Sequence, residues 1–267
     1  MALAGNPLRP TPILETPSLA GDVDAAVSAI LERAHAHQGG YACLCNVHVL
    51  VLAQRDVHVH EALERAWAVF ADGWPVAWLQ RRAGAATAAR VPGTDVMMQV
   101  FELDRKAELS HFLFGSSPEV LDRMRQRLLE MFPKARILGT FSPPYGSLDE
   151  VDFQQSLIAI RSASPDIVWC ALGAPKQEVW MRQHAPRIAP ALVIGVGAAF
   201  DFIAGTQLRA PQWAQDAGME WLHRLRSEPR RLFGRYALTG FLFLWYAGSW
   251  LVRIRIRSGA TGARYGT

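Results

Sequence analysis

Short apolar runs closed by Gly, Pro or Asp recur along the chain, separated by longer mixed stretches. The clearest are Asp166 to Leu172 and Ala191 to Val196, which read as buried strands. Leu109 to Phe114 ends at Gly115-Ser-Ser-Pro118, which opens a helix over 118–132. Ala135 to Gly139 is a further short strand ahead of a Pro/Gly loop, Phe141-Ser-Pro-Pro-Tyr-Gly146. Trp67 to Phe70 runs into Ala71-Asp72-Gly73, and Tyr41 to Leu52 is apolar but interrupted at Asn46-Val-His48. Asp22 to Gln38 is expected to be the first helix, with Asp22 as its cap and Gly39-Gly40 as its stop. Strands alternating with helices predict an α/β, Rossmann-like fold: a mostly parallel sheet with helices on both faces. Ligands of such sheets sit beyond the carboxyl ends of the strands. Asn46, Asp72, Gly115, Gln177 and Asp201 all fall at or just after predicted strand ends, so one shared crevice is expected.

The tail has a different pattern. Tyr236 to Val252 carries no charge and includes Phe241-Leu-Phe-Leu-Trp-Tyr246 and Trp250, with Arg235 on one side and Arg253, Arg255 and Arg257 on the other. A full membrane span takes about 20 apolar residues, and Thr239, Gly240, Gly248 and Ser249 weaken this one. Aromatics between Arg clusters suit a helical appendage lying in the headgroup region. A single span, or a helix packed on the protein's own core, stays open. The expected organisation is an N-terminal extension over 1–20, an α/β domain over 21–227 and a basic, aromatic-rich appendage over 228–267.

Charge sharpens this division. Residues 221–267 hold nine Arg and one acid, Glu228, or +8; the net charge of +4 leaves −4 for the remaining residues. A mildly acidic body with a basic tail suggests an anionic surface as partner, here the inner face of the cytoplasmic membrane, and no nucleic acid. The three Cys (43, 45 and 170) lie in apolar runs, so a disulfide framework is not expected and a reducing, cytoplasmic setting is. No signal peptide is expected from the Pro-rich first 20 residues. Cys43-Leu-Cys45 lacks zinc-knuckle spacing. Asp22-Val-Asp24 has the Asp-x-Asp spacing of some metal-dependent sugar transferases, but lies in a helix's first turn, where acids are favoured by the dipole. No metal site is expected.

The most suggestive stretch is Leu172-Gly-Ala-Pro-Lys-Gln-Glu178. Gly173 permits a sharp turn, Pro175 suits the first helical position, and Lys176 and Gln177 then offer a cation and an amide at the positive end of the helix, where a phosphate is stabilised. An ordinary strand-to-helix turn is the plain alternative. Asp72, next to Gly73, has the chemistry of a general base, or simply forms a turn. Arg90-Val-Pro-Gly-Thr-Asp95 puts a cation before a helix that Thr94 or Asp95 would cap. Gly195-Val-Gly197-Ala-Ala-Phe-Asp201 resembles a phosphate loop, with Phe200 where a dinucleotide fingerprint needs its third Gly; Asp201 would bind a sugar hydroxyl or cap a turn. Arg209, Arg224 and Arg231 lie along the run into the tail, suited to a pyrophosphate or to lipid headgroups.

The ordered set of these segments resembles the WecG/TagA/CpsF glycosyltransferase family. The matching elements are Asn46, Ala71-Asp-Gly73, Arg90-Val-x-Gly-Thr-Asp95, Phe112-Leu-Phe-Gly115, Leu172-Gly-Ala-Pro-Lys-Gln-Glu178 with Trp180, Gly195-Val-Gly197 with Phe200-Asp201, Ala204-Gly205, Arg209-Ala-Pro-x-Trp213, Glu220-Trp221-Leu222 and Glu228-Pro-x-Arg231. They cover roughly residues 15 to 235. The resemblance implies a metal-independent, inverting transfer of glucose, N-acetylmannosamine or its uronic acid from a UDP-sugar to a polyprenyl-pyrophosphate-linked sugar, with no cofactor beyond the donor. It implies Asp72 as base, Arg90 and Gln177 as donor- or substrate-site residues, Asn46 in the same pocket, and Arg224 and Arg231 completing the site at the membrane. Two departures stand out: Leu44 occupies a position where the family often has Thr, and the loop at 141–146 differs from the usual Gly-Tyr-Phe pattern. Rival readings are a nucleotide-cofactor oxidoreductase, against which Phe200 argues, and a non-catalytic membrane adaptor, which leaves the polar residues at strand ends without a role.

Overall fold

The computed structural model describes residues 7–104, 106, 108–144, 150–227 and 229–262; the side chains of Arg224 and Arg231 lie outside the described set. A short antiparallel ribbon, β1 (Arg9–Pro10) and β2 (Leu19–Ala20), leads in. It is followed by α1 (Val23–His35), β3 (Gly40–Cys45), α2 (Val47–Ala53), α3 (Val57–Glu64), β4 (Ala68–Ala71), α4 (Trp74–Arg82) and α5 (Gly93–Leu103). Next come β5 (Ser110–Gly115), α6 (Pro118–Met131), β6 (Arg136–Phe141), α7 (Glu150–Ala163), β7 (Ile167–Ala171), α8 (Lys176–His184), a 3-10 turn (Ala185–Ile188) and β8 (Leu192–Gly195). The chain continues through α9 (Ala199–Ala204), α10 (Gln212–Asp216), α11 (Glu220–Ser227) and α12 (Pro229–Gly262).

Strands β3 to β8 form one sheet in the order β4-β3-β8-β7-β5-β6, with every neighbouring pair parallel. Parallel neighbours need crossovers, and the helices that supply them cover both faces. The strand period of two divides the core accordingly. Along β3, Cys43 and Cys45 face a cluster holding Leu50, Leu79, Trp180 and Met181, whereas Ala42 and Leu44 face a second cluster holding Ile30, Met97, Met124 and Phe200. The central strands β7 and β8 are buried along their whole length, which is why their sequences are continuous apolar runs. Gly115 lets β5 close on β7: its φ is +109°, and a Cβ there would stand 2.5 Å from the carbonyl oxygen of Ala171.

The expected fold class is therefore the one observed, with local differences. The first helix stops at His35, short of the Gly pair. Tyr41 to Leu52 is two elements, because the Asn46 side chain accepts from the backbone N–H of His48 and Val49 and so starts α2 where β3 ends. Strand β6 runs on to Phe141, and residues 145–149 of the loop beyond it lie outside the described residues. The leading segment packs on the body: Ile13 and Leu14 are buried, and the Gln80 amide donates to Ser18 Oγ at 3.0 Å. In α12, Thr239, Phe243 and Ala247 recur every fourth residue on a buried face, while Phe241, Leu244, Trp245 and Val252 point outward. The helix lies along α2.

Candidate active site

The carboxyl ends of the strands form one edge. Its register is extended past the strands by backbone bonds: Asp72 N–H donates to Cys45 O at 2.9 Å, so Asp72 and Asn46 stand side by side just beyond β4 and β3. The Val91 N–H donates to Ala71 O at 2.7 Å, which brings Arg90 to the same corner. Gly73, with φ +120°, turns the chain from Asp72 into α4. The four neighbouring strands from β4 to β7 cross three strand spacings, about 14 Å, the order of an extended nucleoside diphosphate.

Opposite charges alternate around this corner. Arg90 Nη1 lies 3.2 Å from Glu220 Oε2. Arg209 makes a two-pronged pair with Asp95, its Nη2 2.9 Å from Oδ2 and its Nη1 bonded to Oδ1, and its Nε stands 4.0 Å from Glu220 Oε1. Burial works against the charge on Arg209, but Asp95, Glu220 and Asp72 outweigh it and hold the guanidinium above its ordinary value. Asp72 also reaches the other way, helping burial and Glu178 push the Cys45 thiol up. Thus Asp72, Asn46, Arg90 and Arg209 are brought together from four separate stretches of sequence. Two hollows of about 200 and 210 Å³, beside Arg9 and Ala85 and between Arg123 and Ala204, lie away from this corner.

The expected phosphate cradle differs in detail. Pro175 precedes the helix instead of opening it, and Lys176, exposed, is the first residue of α8. Gln177 N–H already donates to Gly173 O at 3.0 Å. The Gln177 side chain is 4% exposed and bridges two strand-end turns: its Oε1 accepts from the backbone N–H of Gly197 at 3.1 Å, and its Nε2 faces Glu178 Oε1 at 3.3 Å. Because a backbone N–H can only donate, these partners fix which way the amide points. The Gly195-Val-Gly197 loop therefore has one N–H fewer for a phosphate than its sequence suggested. Glu178 is buried, its Oε2 has no hydrogen-bond partner, and burial pushes its carboxyl up to about 6.

Asp201 sits in the first turn of α9, and its Oδ1 accepts from Thr206 Oγ1 at 3.3 Å in the turn that follows. The cap expected of Thr94 or Asp95 is not made: α5 starts at Gly93, so both lie inside its first turn, and the preceding Pro92 has no side-chain oxygen to cap it; Asp95 pairs with Arg209 instead. Asp22 caps α1 through the Ala25 N–H, and Asp24 accepts from Gln99 Nε2 at 2.6 Å, so that Asp-x-Asp pair has local structural work. Among the described residues no three His, Cys, Asp or Glu side chains gather into a metal-binding group.

A family model of glycosyl transferases, the WecG/TagA/CpsF family, matches residues 11–257. The chain belongs to the WecG/TagA/CpsF glycosyltransferase family. The match reaches from the leading ribbon into α12, so the appendage is included in the family's extent. The family assignment, a glycosyltransferase of polysaccharide biosynthesis, removes the oxidoreductase and adaptor readings. Phe200 agrees with this, for it fills the core where a third fingerprint Gly would admit a dinucleotide. Sequence reasoning missed Asp95 and Glu220 as partners of the site's arginines. The 130 residues that separate Glu220 from Arg90 leave no local signal of the pairing.

Proposed function

We propose that this enzyme is an inverting glycosyltransferase that moves a sugar from a UDP-sugar to a polyprenyl-pyrophosphate-linked sugar at the inner face of the cytoplasmic membrane. The observation that carries this reading is the corner where Asp72 meets Arg90 and Asn46 through the backbone bonds of Cys45 and Ala71. In the proposed step the acceptor hydroxyl oxygen attacks the anomeric carbon, and Asp72 takes its proton. The bond from that carbon to the diphosphate breaks on the opposite side, and UDP leaves with its electron pair. Arg90 and Arg209 would leave their carboxylate partners to hold the diphosphate, whose oxygens suit the guanidinium fork. Gln177 and Lys176 line the donor side, with Asp201 near the sugar, and Arg224 and Arg231 complete the site at the membrane as the family resemblance implies. The reaction proposed needs no metal, since these cations offset the developing charge.

The appendage supports the membrane part of the reading. Tyr236 to Ile256 is 21 residues long with a mean hydropathy of 1.3, enough by length and composition to cross a bilayer, and 11% of its apolar window is buried. Phe243 and Ala247, however, are held against the protein body. A helix anchored in this way along one face suits an in-plane position, with Phe241, Leu244 and Trp245 among the lipids.

A radiolabelled transfer assay with a panel of UDP-sugars and a short-chain lipid-pyrophosphate acceptor tests the proposal. Transfer from one UDP-sugar with inversion at the anomeric carbon is expected. Retention of configuration, or use of a donor other than a UDP-sugar, would overturn the mechanism.

A further inference from the structure

Helix α4 starts two residues after Asp72 and presents an unusual face. Trp74 and Trp78, one turn apart, stack with ring centroids at 6.5 Å. Arg81 lies over the Trp74 ring at 5.5 Å, and Arg82 lies over the Trp78 ring at 5.2 Å. The opposite face, Val76, Ala77 and Leu79, is buried. Trp74 and Arg82 are exposed and Trp78 is half-buried. From Gly73 to Thr94 the chain holds Arg81, Arg82 and Arg90 and no acid. Indole rings with guanidinium groups suit the headgroup layer of a bilayer, where a ring sits half wet and the cation meets phosphate.

The patch also connects to the appendage. A Cβ on Gly218 would stand 3.1 Å from Trp74 Cβ, so the α10–α11 turn rests on the start of α4. From that turn, Trp221 on α11 meets Tyr236 on α12 edge-to-face at 6.4 Å. Contacts thus run from α4 through the Gly218 turn and α11 to Tyr236 in the first part of α12, two turns before the buried Phe243.

We propose that the Trp74–Trp78–Arg81–Arg82 face of α4 is a second membrane-contact surface, seated among anionic lipid headgroups. The inference rests on reading α12 as the bilayer anchor and adds a second point of contact. One helix leaves the body free to rock about its axis, whereas two contacts fix its tilt. Because α4 follows Asp72 directly, the second contact sets the height of the Asp72 corner above the phosphate layer. An acceptor whose pyrophosphate lies in that layer then meets the base at a fixed depth.

The test uses the full chain and two variants. Binding to vesicles of phosphatidylglycerol and phosphatidylcholine is compared with binding to phosphatidylcholine alone. Arg82→Glu is expected to weaken binding to the anionic vesicles about fivefold or more at low salt, with a smaller effect at high salt. Trp74→Phe with Trp78→Phe keeps the aromatic packing and is expected to lower the fraction of tryptophan fluorescence quenched by brominated lipid. Thermal unfolding of both variants reports folding. If wild-type protein failed to bind either vesicle, the α12 anchor itself would be wrong. If wild type bound and both variants matched it in affinity and quenching, the α4 contact alone would be refuted. Loss of UDP affinity in the Phe pair with unchanged vesicle binding would make the ring stack a nucleotide platform and overturn the lipid assignment.

Discussion

Glu220 Oε2 lies 3.2 Å from Arg90 Nη1, joining the first turn of α11 to the loop that follows α4. The acid is on the element that leads into α12, and the arginine is beside Asp72. If Arg90 serves the donor's diphosphate, Glu220 competes with it. Glu220→Gln should therefore tighten UDP binding by about two- to fivefold, the scale of a partly exposed ion pair. Arg90→Ala should weaken UDP binding by more than tenfold, as expected for loss of a charge-assisted contact worth about 1.5–3 kcal/mol. Isothermal titration with UDP checks both; weaker binding by Glu220→Gln would show that the acid supports the site instead of competing for it.

Glu178 gives a prediction about pH. Burial raises its carboxyl from the ordinary value of 4.5 to about 6 in the folded protein. A raised folded value means that the protonated form is favoured by folding. The stabilisation is full below the unfolded value near 4.5 and is lost as pH rises through about 6. Glu178→Gln removes this dependence, so it should match wild type near pH 4.5 and exceed it above pH 7 by about 2 kcal/mol. Urea unfolding of both proteins at the two pH values measures the difference. Equal stability at both would contradict a buried carboxylate with its Oε2 left unbonded.

Two glycines at strand ends should respond unequally to alanine. At Gly115 a Cβ would stand 2.5 Å from Ala171 O with φ +109°, whereas at Gly173, with φ +77°, it would meet open space. Gly173→Ala should cost about 1–2 kcal/mol from backbone strain alone. Gly115→Ala adds a backbone clash between β5 and β7 and should cost more than about 3 kcal/mol. Denaturant unfolding, or soluble yield where the protein does not fold, ranks them.

Gln177 is a joint between two turns. Gln177→Leu keeps the volume but leaves the Gly197 N–H without its acceptor, at a cost of about 1–3 kcal/mol. Gln177→Glu keeps an acceptor for Gly197 but sets a second carboxylate against Glu178. Both should lower the unfolding midpoint, the Glu variant more steeply as pH rises above 6. A variant with unchanged stability but lost UDP binding would make Gln177 a donor contact and nothing more.

The strands were legible because burial on both faces leaves a plain signature, as in Ile167-Val-Trp-Cys-Ala171 and Leu192-Val-Ile-Gly195. Apolar residues continue across the β3–α2 boundary, and Asn46, a cap residue that interrupts the run, is its one local mark. Asp72 and Arg90 were legible as candidates, but their meeting depends on Val91 bonding to Ala71, a pairing with no local pattern. The sequence offers Gln177 as an anion contact or as part of an ordinary turn, and nothing in it shows that Gly197 returns to Gln177 from the neighbouring strand. The pairing of Asp95 with Arg209 was out of reach for the same reason, since 114 residues separate them.

The central claim is that the Asp72 carboxylate takes the acceptor's proton beside a cationic diphosphate site. Its most direct test is Asp72→Asn, measured for turnover and for UDP affinity on the same folded preparation. A positioned base contributes about 10²–10⁴-fold, or about 3–5 kcal/mol of barrier. The expected result is a fall in kcat of that size with UDP affinity changed less than about threefold. Turnover above about a tenth of wild type would contradict the assignment.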